Sequence, residues 1–486
     1  MTTSTTGPSE SSTPSAAAAP QSFDAVVIGS GQAGGPLAGE LSKAGWRVAL
    51  VERVHVGGTC VNEGCTPTKT LIASAKVAHL ARRAHEYGLE VGKVRVDMPR
   101  VVARKQAVVD SFRNGSTSSV LAAGVELIRG EAQFTASHTL QVELTEGGTR
   151  HITAPKIFIN TGASPSRATV PGLDRVGALD STSIMEVQEV PSHLMIQGGG
   201  FIGLEFAQLF ARLGSAVTVL ERGPRLAARE DADVAAALQE ALEADGVRFL
   251  MQTEVTAATR DDSGITLSVK GPQEQQLVGS HLLVAVGRTP NTAALNLSAA
   301  GIEADAHGFI QVDDTLHTNV EGIYALGDVK GGPAFTHISY DDFRIVRDQL
   351  LSNGERTTRN RLVPYTVFTD PQLGRIGLDE GAARKLDRPT RVYSMPMSYV
   401  ARAIELGETR GLMRAVVDDA TDLLLGGTVL GVEGGELLSV LQMAMMGGVS
   451  ASTLREAVFS HPTLTESLNN LFSGQPLKIG GQPHTS

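Results

Sequence analysis

Phe23-Asp-Ala-Val-Val-Ile28-Gly29-Ser-Gly31-Gln-Ala-Gly34 opens a unit that continues as a helical pattern to Ala44 and then as Arg47-Val-Ala-Leu-Val51-Glu52. The order is strand, glycine turn, helix, strand, acid, which is the fingerprint of a dinucleotide site in its proper setting. Gly29 makes the tight turn, Gly31 leaves room for a pyrophosphate against the backbone, and Gly34 lets helix and strand pack closely. Glu52 is placed to accept hydrogen bonds from a ribose diol. The same unit recurs. His193-Leu-Met-Ile-Gln197 runs into Gly198-Gly-Gly200-Phe-Ile-Gly203, a helix through Leu213, and Ala216-Val-Thr-Val-Leu220 with Glu221. From first glycine to acid is 23 residues in both, 29 to 52 and 198 to 221. A lone glycine motif says little, but two complete units at equal spacing predict an α/β chain holding two dinucleotides. In the second unit Glu221 repels a 2′-phosphate and favours NADH, whereas Arg222 and Arg225 offer the opposite reading, toward NADPH.

Composition sets the outer bounds. A chain of 486 residues, 42% hydrophobic and 19% charged, predicts an ordinary soluble protein of several domains. Its net charge of −10 disfavours nucleic acid and anionic membranes as partners. Residues 1–22 are almost all Ser, Thr, Ala and Pro, with Glu10 as the only charge. They lack the basic and apolar regions of a secretory signal and read as a disordered tail. No apolar run approaches a membrane span, so cytoplasmic residence is the expectation.

The chain has only two cysteines, Cys60 and Cys65, within Gly57-Gly-Thr-Cys60-Val-Asn-Glu-Gly-Cys65-Thr-Pro-Thr-Lys69. In a regular helix, residues five apart have Cα atoms roughly 8.6 Å apart, beyond the ~7 Å that a disulfide tolerates. A bridge between them therefore needs a bend ahead of a helix, which Gly57, Gly58 and Gly64 allow, and Pro67 suits the first turn that follows. One reading is a redox pair at a helix N-terminus, where the dipole stabilises a thiolate. A structural staple, a zinc site with His55 as third ligand but no fourth in view, and two unrelated free thiols are the alternatives.

Together these segments resemble the class I pyridine nucleotide–disulfide oxidoreductases, the family of glutathione reductase, lipoamide dehydrogenase and mercuric reductase. The likeness runs from Phe23 to Phe472. Thr161-Gly162-Ala163 ends a strand, and Val286-Gly287-Arg288-Thr-Pro290-Asn291 matches the segment returning from the nucleotide domain. Thr318-Asn-Val-Glu-Gly-Ile-Tyr324-Ala-Leu-Gly327-Asp328 resembles the second flavin motif. Pro364-Tyr-Thr-Val-Phe-Thr-Asp370-Pro371 opens what looks like a dimerisation domain, which closes on His461-Pro462-Thr463-Leu-Thr-Glu466. The resemblance implies two Rossmann-like domains, for FAD and NAD(P), plus a C-terminal α+β dimerisation domain. The implied division is 23–165 and 291–357 for FAD, 166–290 for NAD(P), 358–475 for the interface and 476–486 as a tail.

The resemblance also implies roles. Cys65 lies against the flavin and Cys60 attacks substrate, while His461, oriented by Glu466, reaches the partner's site in a homodimer as an acid–base group. FAD falls to Gly29, Gly31, Gly34, Glu52, Gly58, Thr59, Lys69, Thr161, Gly162, Gly327 and Asp328. The nicotinamide dinucleotide falls to Gly198, Gly200, Gly203, Glu205, Glu221 and Gly287. Lys69 and Glu205 match the pair that meets near the flavin, although Glu205 taken alone reads as a solvated helix face. Phe201 takes the place of an aromatic lid in some members and reads equally as core.

Departures narrow the field. Plasmid-type mercuric reductases carry a C-terminal vicinal cysteine pair and a tyrosine at the place of His461, whereas Gly481–Ser486 has no thiol. Lipoamide dehydrogenases usually have a histidine where this chain has Phe459. The stretch Phe335-Thr-His-Ile-Ser-Tyr340-Asp341-Asp342, with Ile157-Phe-Ile-Asn160, looks most like the reactive-chlorine-resistance and mercuric reductase-like flavoproteins. The expected activity is FAD-dependent NAD(P)H oxidoreduction through a redox disulfide, toward a small disulfide or a thiol-bound soft metal ion such as Hg(II) or Cu(II). A dihydrolipoyl dehydrogenase, and an FAD-bound redox sensor without sustained turnover, are the other readings. No resident metal is expected. Met443, Met445 and Met446 read as the apolar helix of a dimer core rather than a thioether relay, and Met395 and Met397 read as core.

Overall fold

The computed structural model describes residues 19–272 and 275–480. Most of the expected N-terminal tail and the last six residues lie outside them.

The first fingerprint strand, Ala25–Ile28, is buried at every position. It sits inside an eight-stranded sheet, flanked in parallel by Val48–Glu52 and Lys156–Ile159, with Ile323–Ala325 beyond. A strand apolar on both faces needs cover on both, so the helix Gly34–Lys43 packs on this sheet. On the other side Glu126–Ala136 begins parallel to Val48–Glu52, then turns antiparallel with Thr139–Leu144 and Thr149–Thr153.

The second unit builds a separate parallel sheet in the order Val247–Leu250, Ala216–Leu220, His193–Gln197, His281–Val284. The chain leaves the first module through Ala163–Pro165 and returns through Arg288–Pro290, and these two short strands pair antiparallel. The C-terminal part is a six-stranded antiparallel sheet from Tyr365–Val367 to Leu477–Ile479, against which the helix Gly434–Gly447 packs.

Two expectations about the chain ends change. Gln21–Ser22, read as tail, adds an edge strand parallel to Thr149–Thr153, and Leu477–Ile479, also read as tail, pairs antiparallel with Thr390–Pro396. Both pieces are too short to show alternation. Backbone pairing at a free sheet edge orders them, helped by burial of Ile479. Among the described residues no helix is long and apolar enough to cross a membrane.

Candidate functional site

The two glycine turns are alike in atomic detail. Gly29 and Gly198 have φ of +95° and +113°, backbone that favours glycine. A Cβ on Gly34 would lie 2.1 Å from the Gly29 carbonyl oxygen, and one on Gly203 would lie 2.1 Å from that of Gly198. The third glycine of each turn is thus fixed by contact with the first. Gly200, by contrast, has nothing within 4 Å of its Cβ position, so that face of the backbone is bare.

Each acid ties its turn together. Ser30 donates from N (3.0 Å) and Oγ (2.6 Å) to Glu52 Oε2, and Val54 N donates to Oε1 at 2.9 Å. Glu221 accepts from Gly199 N at 2.7 Å and Gly223 N at 2.6 Å. Arg225 donates to the Ala228 carbonyl at 3.0 Å, and both Arg222 and Arg225 are exposed.

Asn160 is buried at the centre of the first module. It accepts from Gly34 N (2.9 Å), donates to the Leu326 carbonyl (2.9 Å), and would touch a Cβ on Gly31 at 2.9 Å. One side chain therefore joins the first glycine turn, the Thr161-Gly162 strand end and the Gly327-Asp328 segment. Gly327 N donates to buried Asp342 at 2.8 Å, and Asp342 pairs with Arg361 at 2.7 Å and Lys330 at 3.3 Å. A cavity of ≈320 Å³ beside Asp328 is lined by Ala163, Arg288, Phe309, Lys330 and Gly331. Burial, with the Asp342 charge, raises the Asp328 pKa against the pull of Arg288 and Lys330. Thr161 Oγ1 and Gln197 Oε1 are buried without a hydrogen-bond partner among the described residues, one near each turn. Ser166 N donates to the Gly287 carbonyl at 2.9 Å, closing the crossing between modules.

The cysteines occupy a bent double helix start. A short helix, Gly58–Asn62, carries Cys60, and the helix Cys65–Arg82 begins on Cys65 itself. Gly57 and Gly58 take φ of +104° and +62°, and a Cβ on Gly58 would reach Gly31 Cα at 2.6 Å. The cysteine segment is thereby pressed against the first glycine turn, with Thr59 beside Cys60. Gln32 Nε2 donates to the Gly57 carbonyl at 3.2 Å, fastening it further.

Both cysteines are free thiols and they divide the charge between them. The Cys60 hydrogen bond foremost, then that of Thr336 and the Lys69 charge, outweigh burial and the Glu205 carboxylate and lower Cys65 to about 6. The same hydrogen bond, with burial and the Cys65 charge, raises Cys60. Cys65 Sγ lies 3.3 Å from Thr336 Oγ1. At the first position of an 18-residue helix, Cys65 also meets the positive end of the helix dipole.

One turn further along, Lys69 Nζ meets Glu205 Oε2 at 2.5 Å, and Glu205 is buried rather than solvated. Its other oxygen accepts Phe368 N at 2.8 Å, and Lys69 lies 4.8 Å over the Phe368 ring. Glu205 belongs to one face of the helix Phe201–Leu213. Phe201 meets Tyr365, Glu205 meets Phe368 N, Gln208 binds Asp370 N and O at 2.7 Å each, and Arg212 pairs with the Asp370 carboxylate at 2.6 Å. Residues 365–370 form a rail along that face. Its donors are largely main-chain amides, so the residue types gave no sign of it. Thr336 and Asn160 were likewise in view only as parts of longer motifs.

His461 Nδ1 lies 2.9 Å from Glu466 Oε2, in the C-terminal domain and largely exposed. Among the described residues no hydrogen bond joins it to Cys60 or Cys65 in the same chain. Met395 and Met397 are buried, Met445 packs on the core, and Met443 and Met446 are both 63% exposed. No group of three or more His, Cys, Asp or Glu side chains is gathered as a metal site among the described residues.

Comparison with known proteins agrees over nearly the whole chain. The family model "Pyridine nucleotide-disulphide oxidoreductase" matches residues 23–342, and the dimerisation domain of the same family matches 363–472. The chain is 40% identical to the probable pyridine nucleotide-disulfide oxidoreductase RclA of Escherichia coli over 93% of this chain and 99% of that protein. A solved structure described as the Cu(II) complex of HOCl-induced flavoprotein disulfide reductase RclA superposes with a TM-score of 0.86, covering 93% of this chain and 99% of that one. A mercuric reductase of Streptomyces lividans is 34% identical over 96% of each chain. A dihydrolipoyl dehydrogenase of Thermus scotoductus is 34% identical over 92% of this chain and 96% of its own. The protein belongs to the class I pyridine nucleotide–disulfide oxidoreductases, NAD(P)H-dependent flavoenzymes with a C-terminal dimerisation domain.

Proposed function

We propose that this enzyme passes electrons from NADH, through FAD and then Cys60 and Cys65, to a small disulfide or a thiol-bound soft metal ion. The observation that carries the reading is the unequal pair of thiols, with Cys65 held toward thiolate and Cys60 toward thiol at the start of one helix. The residues present fit both dinucleotides. Bare glycine backbone at Gly200, the unpartnered Thr161 Oγ1 and Gln197 Oε1, and the cavity at Asp328 all await polar ligand atoms. FAD would rest on Gly29, Gly31, Gly34, Glu52, Thr161 and Asp328, and NADH on Gly198, Gly200, Gly203 and Glu221. Glu221, whose carboxylate is anchored by two loop amides, would accept from a ribose 2′-hydroxyl and oppose the extra phosphate of NADPH. Bound flavin supplies hydride acceptance from the nicotinamide and reduction of the Cys60–Cys65 disulfide.

The side chains account for the rest. Lys69, on the cysteine helix, and Glu205, held by the Phe368 amide of the 365–370 rail, form a compensated charge pair one turn beyond Cys65. Cys60, freed as a thiolate, attacks one sulfur of the acceptor and the other sulfur leaves as a thiol. Cys65 then displaces the second acceptor sulfur, and the Cys60–Cys65 disulfide re-forms with two electrons delivered. The partner subunit's His461, oriented by Glu466, takes the Cys60 proton and returns it to the leaving thiolate. A soft metal ion is an alternative acceptor: the dithiol ligates it and, on closing to the disulfide, releases two electrons, enough for one Hg(II) to Hg(0) or for two Cu(II) to Cu(I). RclA has been solved as a Cu(II) complex, which places Cu(II) among the acceptors to test.

Steady-state turnover across disulfides, Hg(II) and Cu(II) tests this. The expected result is a lower KM for NADH than for NADPH, and a loss of at least about 100-fold in kcat for dithiol-dependent acceptors in Cys60→Ser. Undiminished turnover of every acceptor by Cys60→Ser would falsify the dithiol route.

A further inference from the structure

The hydroxyl that meets Cys65 is held from outside its own domain. Thr336 is the first residue of the helix Thr336–Ser352, and both of its neighbours dock on the C-terminal domain. Phe335 stacks on Tyr365 with centroids 5.6 Å apart and planes 10° apart. His337 Nε2 lies 2.6 Å from the Pro364 carbonyl oxygen. Between these two contacts, Thr336 reaches Cys65 Sγ at 3.3 Å.

Tyr365 itself is pinned. Its ring also meets Phe201 at 5.5 Å, and its hydroxyl donates to Glu230. Glu230, 1% exposed, takes Arg375 at 3.2 Å on its other oxygen, and Arg375 pairs again with Asp379. Burial and the Glu230 charge raise the phenol pKa, so the hydroxyl stays a donor. Glu230 lies in the nucleotide module and Phe335 in the returning flavin segment, so one tyrosine joins three parts of the chain. The reaction as derived has no step for Tyr365, Glu230 or His337.

We propose that Tyr365, anchored through Glu230 and Arg375, is a positioning residue that sets the Phe335–His337 segment and so holds the Thr336 hydroxyl against Cys65. This rests on the reading of Cys65 as the thiolate of the pair. The ionisable groups facing Cys65 are Cys60, Lys69 and Glu205, and those facing His337 are Arg361 and Asp341. An aromatic stack with one anchored member resists sliding, because its geometry is preferred and its hydroxyl is tied to a buried charge.

Cys60→Ser leaves Cys65 as the only thiol in the chain, which makes the test clean. The measurement is the pH titration of the long-wavelength absorbance that a thiolate gives beside oxidised flavin, on FAD-loaded Cys60→Ser protein. Adding Tyr365→Leu, or Thr336→Val as a positive control, is expected to raise the midpoint by about half to one pH unit, three- to tenfold in acid constant, as the hydrogen bond to the anion weakens. Tyr365→Phe keeps the ring and drops the anchor. Its expected rise in midpoint is about 0.3 pH unit, a twofold fall in acid constant, and it decides the matter if the leucine variant does not fold. Midpoints for the folded Tyr365 variants that equal the parent's would overturn the proposal. The readout is thiol ionisation rather than turnover, so an inactive acceptor reaction with these shifts intact counts against the proposed function alone.

Discussion

At the scale of single residues, the proposed chemistry turns on the interaction between the two thiols. Cys65 has the lowered pKa, so its thiolate is present above about pH 6 and lost as pH falls through that value. The hydrogen bond from position 60 is the largest cause. FAD-loaded Cys60→Ser, which keeps a donor there, should therefore hold a low Cys65 midpoint, while Cys60→Ala should raise it by about one pH unit. A thiolate–flavin absorbance titration reads both, and equal midpoints would show that position 60 does not set the charge. The spacing of the two cysteines, the glycines and the lysine four residues on were all legible in sequence. Burial of Glu205 was not. An acid on a helix looks solvated until the lysine and the Phe368 amide that compensate it are brought in from distant segments.

At the scale of elements, the glycine turns separate packing from binding. The matched 2.1 Å approaches at Gly34 and Gly203 mean that a methyl group there must push strand and helix apart. Gly203→Ala should cost about 1–3 kcal/mol of stability by overpacking, seen as a fall in Tm. Gly200→Ala has free space and an ordinary φ of −79°, so Tm should hold while NADH affinity falls. Calorimetry with and without NADH checks both, and equal Tm losses would contradict the division of roles. The two units were readable because strand, turn, helix and acid each leave a residue-type signature at fixed spacing. The 365–370 rail left none, since backbone amides do much of its work. The edge strands at Gln21–Ser22 and Leu477–Ile479 were missed for a related reason, being too short to alternate.

At the scale of the whole molecule, the Cys60–Cys65 pair and His461 lie in different domains, and the proposed route needs two chains. Met443, Met446 and Val458 are exposed on the single chain in the same domain as His461, apolar surface of the kind that pairing covers. Mixing Cys60→Ser with His461→Ala chains tests the arrangement. If each site takes its histidine from the partner, random mixed dimers recover about one quarter of parental turnover, because half the dimers carry one intact site. If the histidine acts within its own chain, mixing restores nothing.

The most direct measurement of the central claim is anaerobic reductive titration of the FAD-loaded enzyme with NADH. A flavin coupled to a Cys60–Cys65 disulfide accepts about two equivalents, with the thiolate–flavin absorbance appearing after the first. Cys60→Ser should accept about one. Uptake of one equivalent by both proteins would mean that electrons never enter the cysteine pair.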